Sequence, residues 1–170
     1  MILTDAQIID RCLRGMVEPF ELEHVNPASL DVCLGPELLI ESAESKQFVP
    51  LDISQFTRFN PYHLVPGQFI LGATVERFYL PDDIAAQFML KSSRAREGLE
   101  HLLAGFCDPG WHSSTLTLEL HNSRQLHPVQ IWAGMRIGQM VFHQLGVPVT
   151  TSYAKTGRYN NHLTVTESLG

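Results

Sequence analysis

The chain has 170 residues, enough for one domain of ordinary size, and 44% of them are hydrophobic, enough to bury a core and exclude disorder. No run of about 18 apolar residues exists, so nothing in the sequence reads as a membrane span. The net charge of −6 argues against a broad basic face for polymeric nucleic acid, so an anionic ligand must be met by a local cluster of positive charge.

The start, "MILTDAQIIDRCLRG", lacks the basic region and small-residue cleavage site of a signal peptide. It reads as a short helix. Thr4 and Gln7 form a capping box, Ile8, Cys12 and Leu13 make an apolar stripe, and Gly15 can close the C-terminus. The three cysteines, Cys12, Cys33 and Cys107, are odd in number and widely spaced, which suits reduced thiols and a cytoplasmic location. After the helix the period changes to two. "ASLDVCLG", "ELLIES", "QFILGATVERF", "AAQFML", "TLTLELHN", "PVQIWA" and "IGQMVFHQL" are strand-like runs separated by turn signals such as "PG", "PDD" and "DPG". This spacing predicts a mainly β domain, a barrel or jelly-roll with little helix. The whole chain, 1–170, reads as that one domain, and its polar tail, 154–170, as a mobile arm.

Three stretches carry chemistry. In "TLTLEL" the alternation places Leu116, Leu118 and Leu120 on one face and Thr115, Thr117, Glu119 and His121 on the other. Glu119 is then either a solvated strand residue or a carboxylate facing a polar cavity or subunit cleft, where it could move a proton. In "KSSRAREGL", Lys91, Arg94 and Arg96 put three positive charges beside two hydroxyls. That is either a capped surface helix or a phosphate-binding turn. "CDPGW" is a tight turn on any reading, but Asp108 beside Trp111 would also suit a nucleoside pocket. No Cys-x-x-Cys or His-Glu-x-x-His is present, so a catalytic zinc is not expected; spacing leaves a Ser-His-Asp triad open, although no nucleophile-elbow Gly-x-Ser-x-Gly occurs.

Five segments resemble the dCTP deaminase family of the trimeric dUTPase-like superfamily, in the family's order: "NPASLDVCLG", "PGQFILGATVERFYLPDDIAAQFMLKSSRAREGL", "AGFCDPGW", "LTLELHN" and "AGMRIGQMVF". The resemblance implies a homotrimer of dUTPase-like distorted barrels with active sites between subunits. It implies hydrolytic deamination of dCTP to dUTP and ammonia in pyrimidine deoxynucleotide metabolism. By position, Glu119 matches the family's catalytic glutamate, Ser92 and the carbonyl of Ala104 match the groups that hold the water, and Arg96 matches the arginine beside the reacting centre. Lys91, Ser92 and Ser93 would also serve the triphosphate with its magnesium ion, and Arg94, Ala95 and Arg96 complete this substrate-binding segment. Asp108 would hold the deoxyribose beside Trp111, Thr117 and Leu118 would read the base through backbone groups, and Gln139 would complete the pocket.

The family's tail closes over the nucleotide with a tyrosine and then Lys-Tyr-x-x-Gln. The counterparts here are Tyr153 and "RYNNH", so Arg158 replaces the lysine and His162 the glutamine. Ala104-Gly105-Phe106 matches the bifunctional members, which continue to dUMP and diphosphate. Two alternatives remain: a dUTPase that does not deaminate, and a non-catalytic nucleotide-binding regulatory trimer. Inhibition by dTTP, frequent in the family, is a further expectation.

Overall fold

The first helix forms where its caps predict it. Helix α1 spans Asp5–Leu13, with Thr4 at the N-cap donating its backbone N–H to Gln7 Oε1 at 3.0 Å, and it buries Ile8 and Cys12. Leu13, expected on the same stripe, is the last residue of the helix and is instead exposed. The computed structural model describes residues 1–44 and 46–170.

Twelve strands follow among the described residues. They are β1 (Val17–Glu18), β2 (Val25–Asn26), β3 (Ser29–Ile40), β4 (Val49–Asp52), β5 (Tyr62–Leu64), β6 (Phe69–Tyr79), β7 (Ile84–Leu90), β8 (Leu99–His101), β9 (Phe106–Cys107), β10 (His112–Asn122), β11 (Val129–Ile131) and β12 (Arg136–Gln144). Two short helices, α2 (Ser92–Arg96) and α3 (Tyr153–Thr156), interrupt or follow them. Ten strands form one sheet with the path β8-β10-β6-β3-β12-β7-β9, while β1, β2 and β4 pair off its sides and β5 pairs β11 separately. Every pairing is antiparallel, so the architecture is the mainly β one that the alternation predicts.

Strand β3 joins the two halves. "ASLDVCLG" and "ELLIES" read as separate strands, yet they form one continuous strand of 12 residues. Its first half pairs β12 and its second half pairs β6 and β4, with a register shift between Leu34 and Leu38 where the sheet bends. Gly72 of β6 makes this crossing possible. A Cβ there would stand 2.9 Å from Leu34 and 3.3 Å from Leu38, inside van der Waals contact.

The core runs between the layers. Leu116, Leu118 and Leu120 of β10 are buried, and Thr117, Glu119 and His121 are only partly so, as the alternation requires. Burying each leucine stabilises the fold by about 1.5–3 kcal/mol, so β10 is held rigidly in register. That rigidity fixes what its other face presents. The three cysteines are free thiols buried in the structure. No described helix is long and apolar enough to cross a membrane.

Candidate active site

Strand β10 delivers Glu119 to the wall of a 520 Å³ cavity. Its side chain is 26% exposed, so it is partly shielded where it meets the cavity. Oε2 is buried and faces Nε2 of His101, a residue almost wholly buried, at 3.3 Å. Their orientation does not make a hydrogen bond, and both atoms lack any other partner. Buried polar atoms without partners are rare in folded proteins and mark places where a ligand or ordered water binds.

The imidazole of His101 is itself held in place. It packs against Phe88 with ring centroids 4.7 Å apart, and β8 fixes its backbone opposite Leu120. Gly105 allows the approach, since a Cβ there would meet Phe88 at 2.7 Å and the His101 ring at 3.4 Å. Sequence reasoning missed His101, because a single histidine in "GLEHLL" has no motif around it. Only the β8–β10 register brings it to Glu119.

The cavity gathers one half of the expected site. Ala104, Phe106, Asp108, Trp111, Thr117, Glu119, Tyr153 and His162 all line it. The turn at Asp108-Pro109-Gly110 forms as expected, with Gly110 at φ 87° and the Trp111 N–H donating to Asp108 O at 3.1 Å. Trp111 is more a core residue than a free wall: it is buried and stacks on Phe78 at 5.5 Å. The side chain of Leu118 is buried in the core, so only its backbone could face a ligand.

The tail lies along the first half of β10 and roofs the cavity. Trp111 Nε1 donates to Tyr159 O at 2.7 Å, Thr115 N to His162 O at 2.9 Å, and Thr166 N to Thr117 Oγ1 at 3.2 Å. Tyr159, of the "RYNNH" stretch, thereby joins the lining with Thr166, Glu167 and Ser168, and the last three did not stand out in the sequence. A polar segment without period gives no such signal.

The other half of the expected site lies elsewhere. Lys91, Ser92, Ser93, Arg94, Ala95, Arg96, Gln139 and Arg158 do not line this cavity. Lys91 caps α2 and binds both carboxylate oxygens of the buried Asp31 at 2.6 Å. Arg94 pairs with Glu97 at 2.7 Å and lies over the Trp132 ring, beside a second cavity that Arg58 and Arg124 also line. Gln139 accepts from Ser29 Oγ at 3.2 Å. By contrast Ser92, Ser93, Ala95, Arg96 and Arg158 are exposed. One chain therefore shows a carboxylate-bearing cavity and, separately, an exposed hydroxyl and guanidinium surface.

Comparison with known proteins shows the family and the fold. The family model described as dCTP deaminase-like matches residues 2–145. A protein of Kocuria rhizophila named "dCTP deaminase, dUMP-forming" is 39% identical over 174 residues, covering 95% of this chain and 88% of that protein. A protein of Methanosphaerula palustris with the same name is 42% identical over 152 residues, covering 84% of this chain and 81% of that one. Among solved structures, the 2'-deoxycytidine 5'-triphosphate deaminase of Agrobacterium tumefaciens superposes with a TM-score of 0.68 at 23% identity, over 84% of this chain and 47% of that one. The EIAV dUTPase superposes with a TM-score of 0.50 at 14% identity, over 81% of this chain and 89% of that one, so the fold is dUTPase-like. On the family model and these identities, the chain belongs to the dCTP deaminase-like family.

Proposed function

We propose that this protein deaminates dCTP to dUTP and ammonia and then cleaves the dUTP to dUMP and diphosphate. The observation that carries the reading is Glu119, a carboxylate with one buried, unpartnered oxygen at the wall of a nucleoside-sized cavity. Glu119 takes a proton from a water held beside it, and the hydroxide adds to C4 of cytosine. The same carboxyl passes that proton to the amino group, which leaves as ammonia, and the proton of the added hydroxyl moves to N3, giving the C4 carbonyl and N3–H of uracil. Ser92 and the Ala104 carbonyl orient the water, and Arg96 stands beside the reacting centre. Asp108 accepts from the sugar hydroxyl, while the backbone of Thr117 and Leu118 meets the base edge. Gly105 and Phe106, in the Ala-Gly-Phe of the dUMP-forming pattern, favour the second step.

The triphosphate, carrying its magnesium ion, needs cations that the Glu119 cavity lacks. The exposed surface of α2 supplies them from a neighbouring subunit, and we place the active site between subunits of a homotrimer. Leu103 and Phe106, 92% and 61% exposed beside the cavity, support a subunit contact there, because such side chains are costly to leave in water. In this reading the tail, with Tyr153, Arg158 and His162, is an arm that opens for the nucleotide and closes on it. A soluble cytoplasmic enzyme fits the free buried thiols.

Incubation with dCTP and magnesium, followed by product separation, tests the function. Equal amounts of dUMP and diphosphate are expected. Accumulation of dUTP would remove the second step, and unchanged dCTP would refute the reading.

A further inference from the structure

Away from the cavity, three side chains of different elements converge on one buried point. His24 comes from the 3-10 turn Leu22–His24, Cys33 from β3 and Glu76 from β6. One potential ligand atom of each lies within 4.8 Å of the other two. Cys33 and Glu76 are buried, and the His24 side chain is 13% exposed. None of the three lines the Glu119 cavity.

Glu76 is the anomaly that gives this cluster its meaning. A buried carboxylate is ordinarily matched by a cation or by several donors. Asp31 nearby shows the usual solution, with Lys91 on both oxygens at 2.6 Å and Asn26 Nδ2 on one at 2.8 Å. Glu76 receives the Cys33 backbone N–H, at 3.0 and 3.2 Å from its two oxygens, together with its own backbone N–H and the Cys33 thiol, all of them neutral donors. Among the described residues no Lys or Arg pairs with it, and the nearby Arg136 is committed to Glu23 at 2.6 Å.

We propose that His24, Cys33 and Glu76 form a structural binding site for a zinc ion. Imidazole, thiolate and carboxylate are zinc's ordinary ligands, and tetrahedral coordination at about 2.0–2.3 Å places ligand atoms roughly 3.5 Å apart. The observed spread needs side-chain closure of about an ångström, within reach of the partly exposed His24 and of rotation about the Cys33 Cα–Cβ bond. The ion displaces the thiol proton and supplies the charge that Glu76 lacks. The Cys33 N–H orients the carboxylate from behind, as groups around metal ligands do. The side of His24 that meets solvent gives the ion its path in and a water as fourth ligand. Bound there, zinc ties the 3-10 turn to β3 and β6, and it takes no part in deamination.

Cobalt(II) titration of the full-length protein, stripped by dialysis against chelator, tests the site. The expected result is one cobalt per chain, with a sulfur-to-cobalt charge-transfer band and the intense visible bands of a tetrahedral ion, both abolished by excess zinc. Cys33→Ala should remove the charge-transfer band, whereas Cys12→Ala should leave it. His24→Ala, at a partly exposed position where folding is safe, should weaken binding at least tenfold. Zinc should raise the melting temperature of the parent and not of His24→Ala. Absence of the band, or its survival in Cys33→Ala or at unchanged affinity in His24→Ala, would overturn the proposal. These readings need no substrate, so they stand or fall separately from the deaminase activity.

Discussion

Nε2 of His101 lies 3.3 Å from Oε2 of Glu119, and neither atom has another partner. The imidazole is locked by Phe88 and by the pairing of β8 with β10, so the carboxylate meets a fixed neighbour rather than bulk water. Glu119 thus lines the cavity with one oxygen set against a fixed imidazole, a placement that suits a proton-transferring carboxylate.

Glu119→Gln keeps the side chain's size and removes its ability to take a proton. The turnover number with dCTP should fall at least about a hundredfold, while the Michaelis constant changes little, since the loss falls on the transition state. Steady-state kinetics on folded protein decides this. A near-parental rate would refute the assignment.

His101→Asn should leave the Michaelis constant within about twofold and lower the turnover number by about ten- to a hundredfold, through loss of orientation at Glu119. Its pH–rate profile should differ in shape from the parent's, which a purely structural role would not produce. An unchanged profile with unchanged turnover would make His101 a packing residue only.

Mixing two inactive variants tests where the site is built. If Glu119 acts with Arg96 of a neighbour in a cyclic trimer, a one-to-one mixture of Glu119→Gln and Arg96→Ala subunits regains intact sites. Random reassembly should restore about a quarter of the parental rate, the share of sites with both residues intact. A mixture as inactive as its components would place both residues in one chain.

Deleting residues 154–170 should raise the Michaelis constant for dCTP at least about tenfold, the worth of one lost charge-assisted hydrogen bond. It should lower the melting temperature by only a few degrees. The bonds at Trp111, Thr115 and Thr117 are lost, but the two donors and the Thr117 hydroxyl left behind become solvated, and each kcal/mol is worth about 2–4 °C. Calorimetry and kinetics on the truncated protein separate the two effects.

Asp83 anchors α1 to the sheet. Gln144 Nε2 donates to it at 2.9 Å and Arg11 at 3.1 Å, and these hold its carboxyl below the usual carboxylate range. The folded state therefore keeps the charge at a lower pH than the unfolded chain does. The stabilisation is complete above the ordinary carboxylate range and disappears as pH falls through the folded-state value. Asp83→Asn should cost about 0.5–1 kcal/mol at pH 7, the range for a partly exposed pair. The gap between parent and variant melting temperatures should close in acid. A gap that widens in acid would reverse the sign.

What the sequence revealed follows the range of each interaction. The capping box of α1 and the alternation of β10 are local, so Thr4, Gln7 and Glu119 could be placed from their neighbours alone. Strands β5 and β8 have three residues each and stood in no run read as strand-like, unlike the equally short β11 in "PVQIWA", and both went unseen. His101 was invisible for that reason, and so was the cluster of His24, Cys33 and Glu76, whose members are 9 or more positions apart. The continuity of β3 through Gly35-Pro36 was hidden because both residues ordinarily signal a turn. Here the bend of the sheet absorbs them.

The backbone amide of Thr115 donates to the carbonyl of His162, within the arm. That single proton is shielded from solvent only while the arm lies on β10. Its exchange with deuterium therefore records how often the arm lifts, without any label attached to the protein. A nucleotide that the arm closes upon should slow that exchange, whereas one that merely fills the cavity should leave it unaltered.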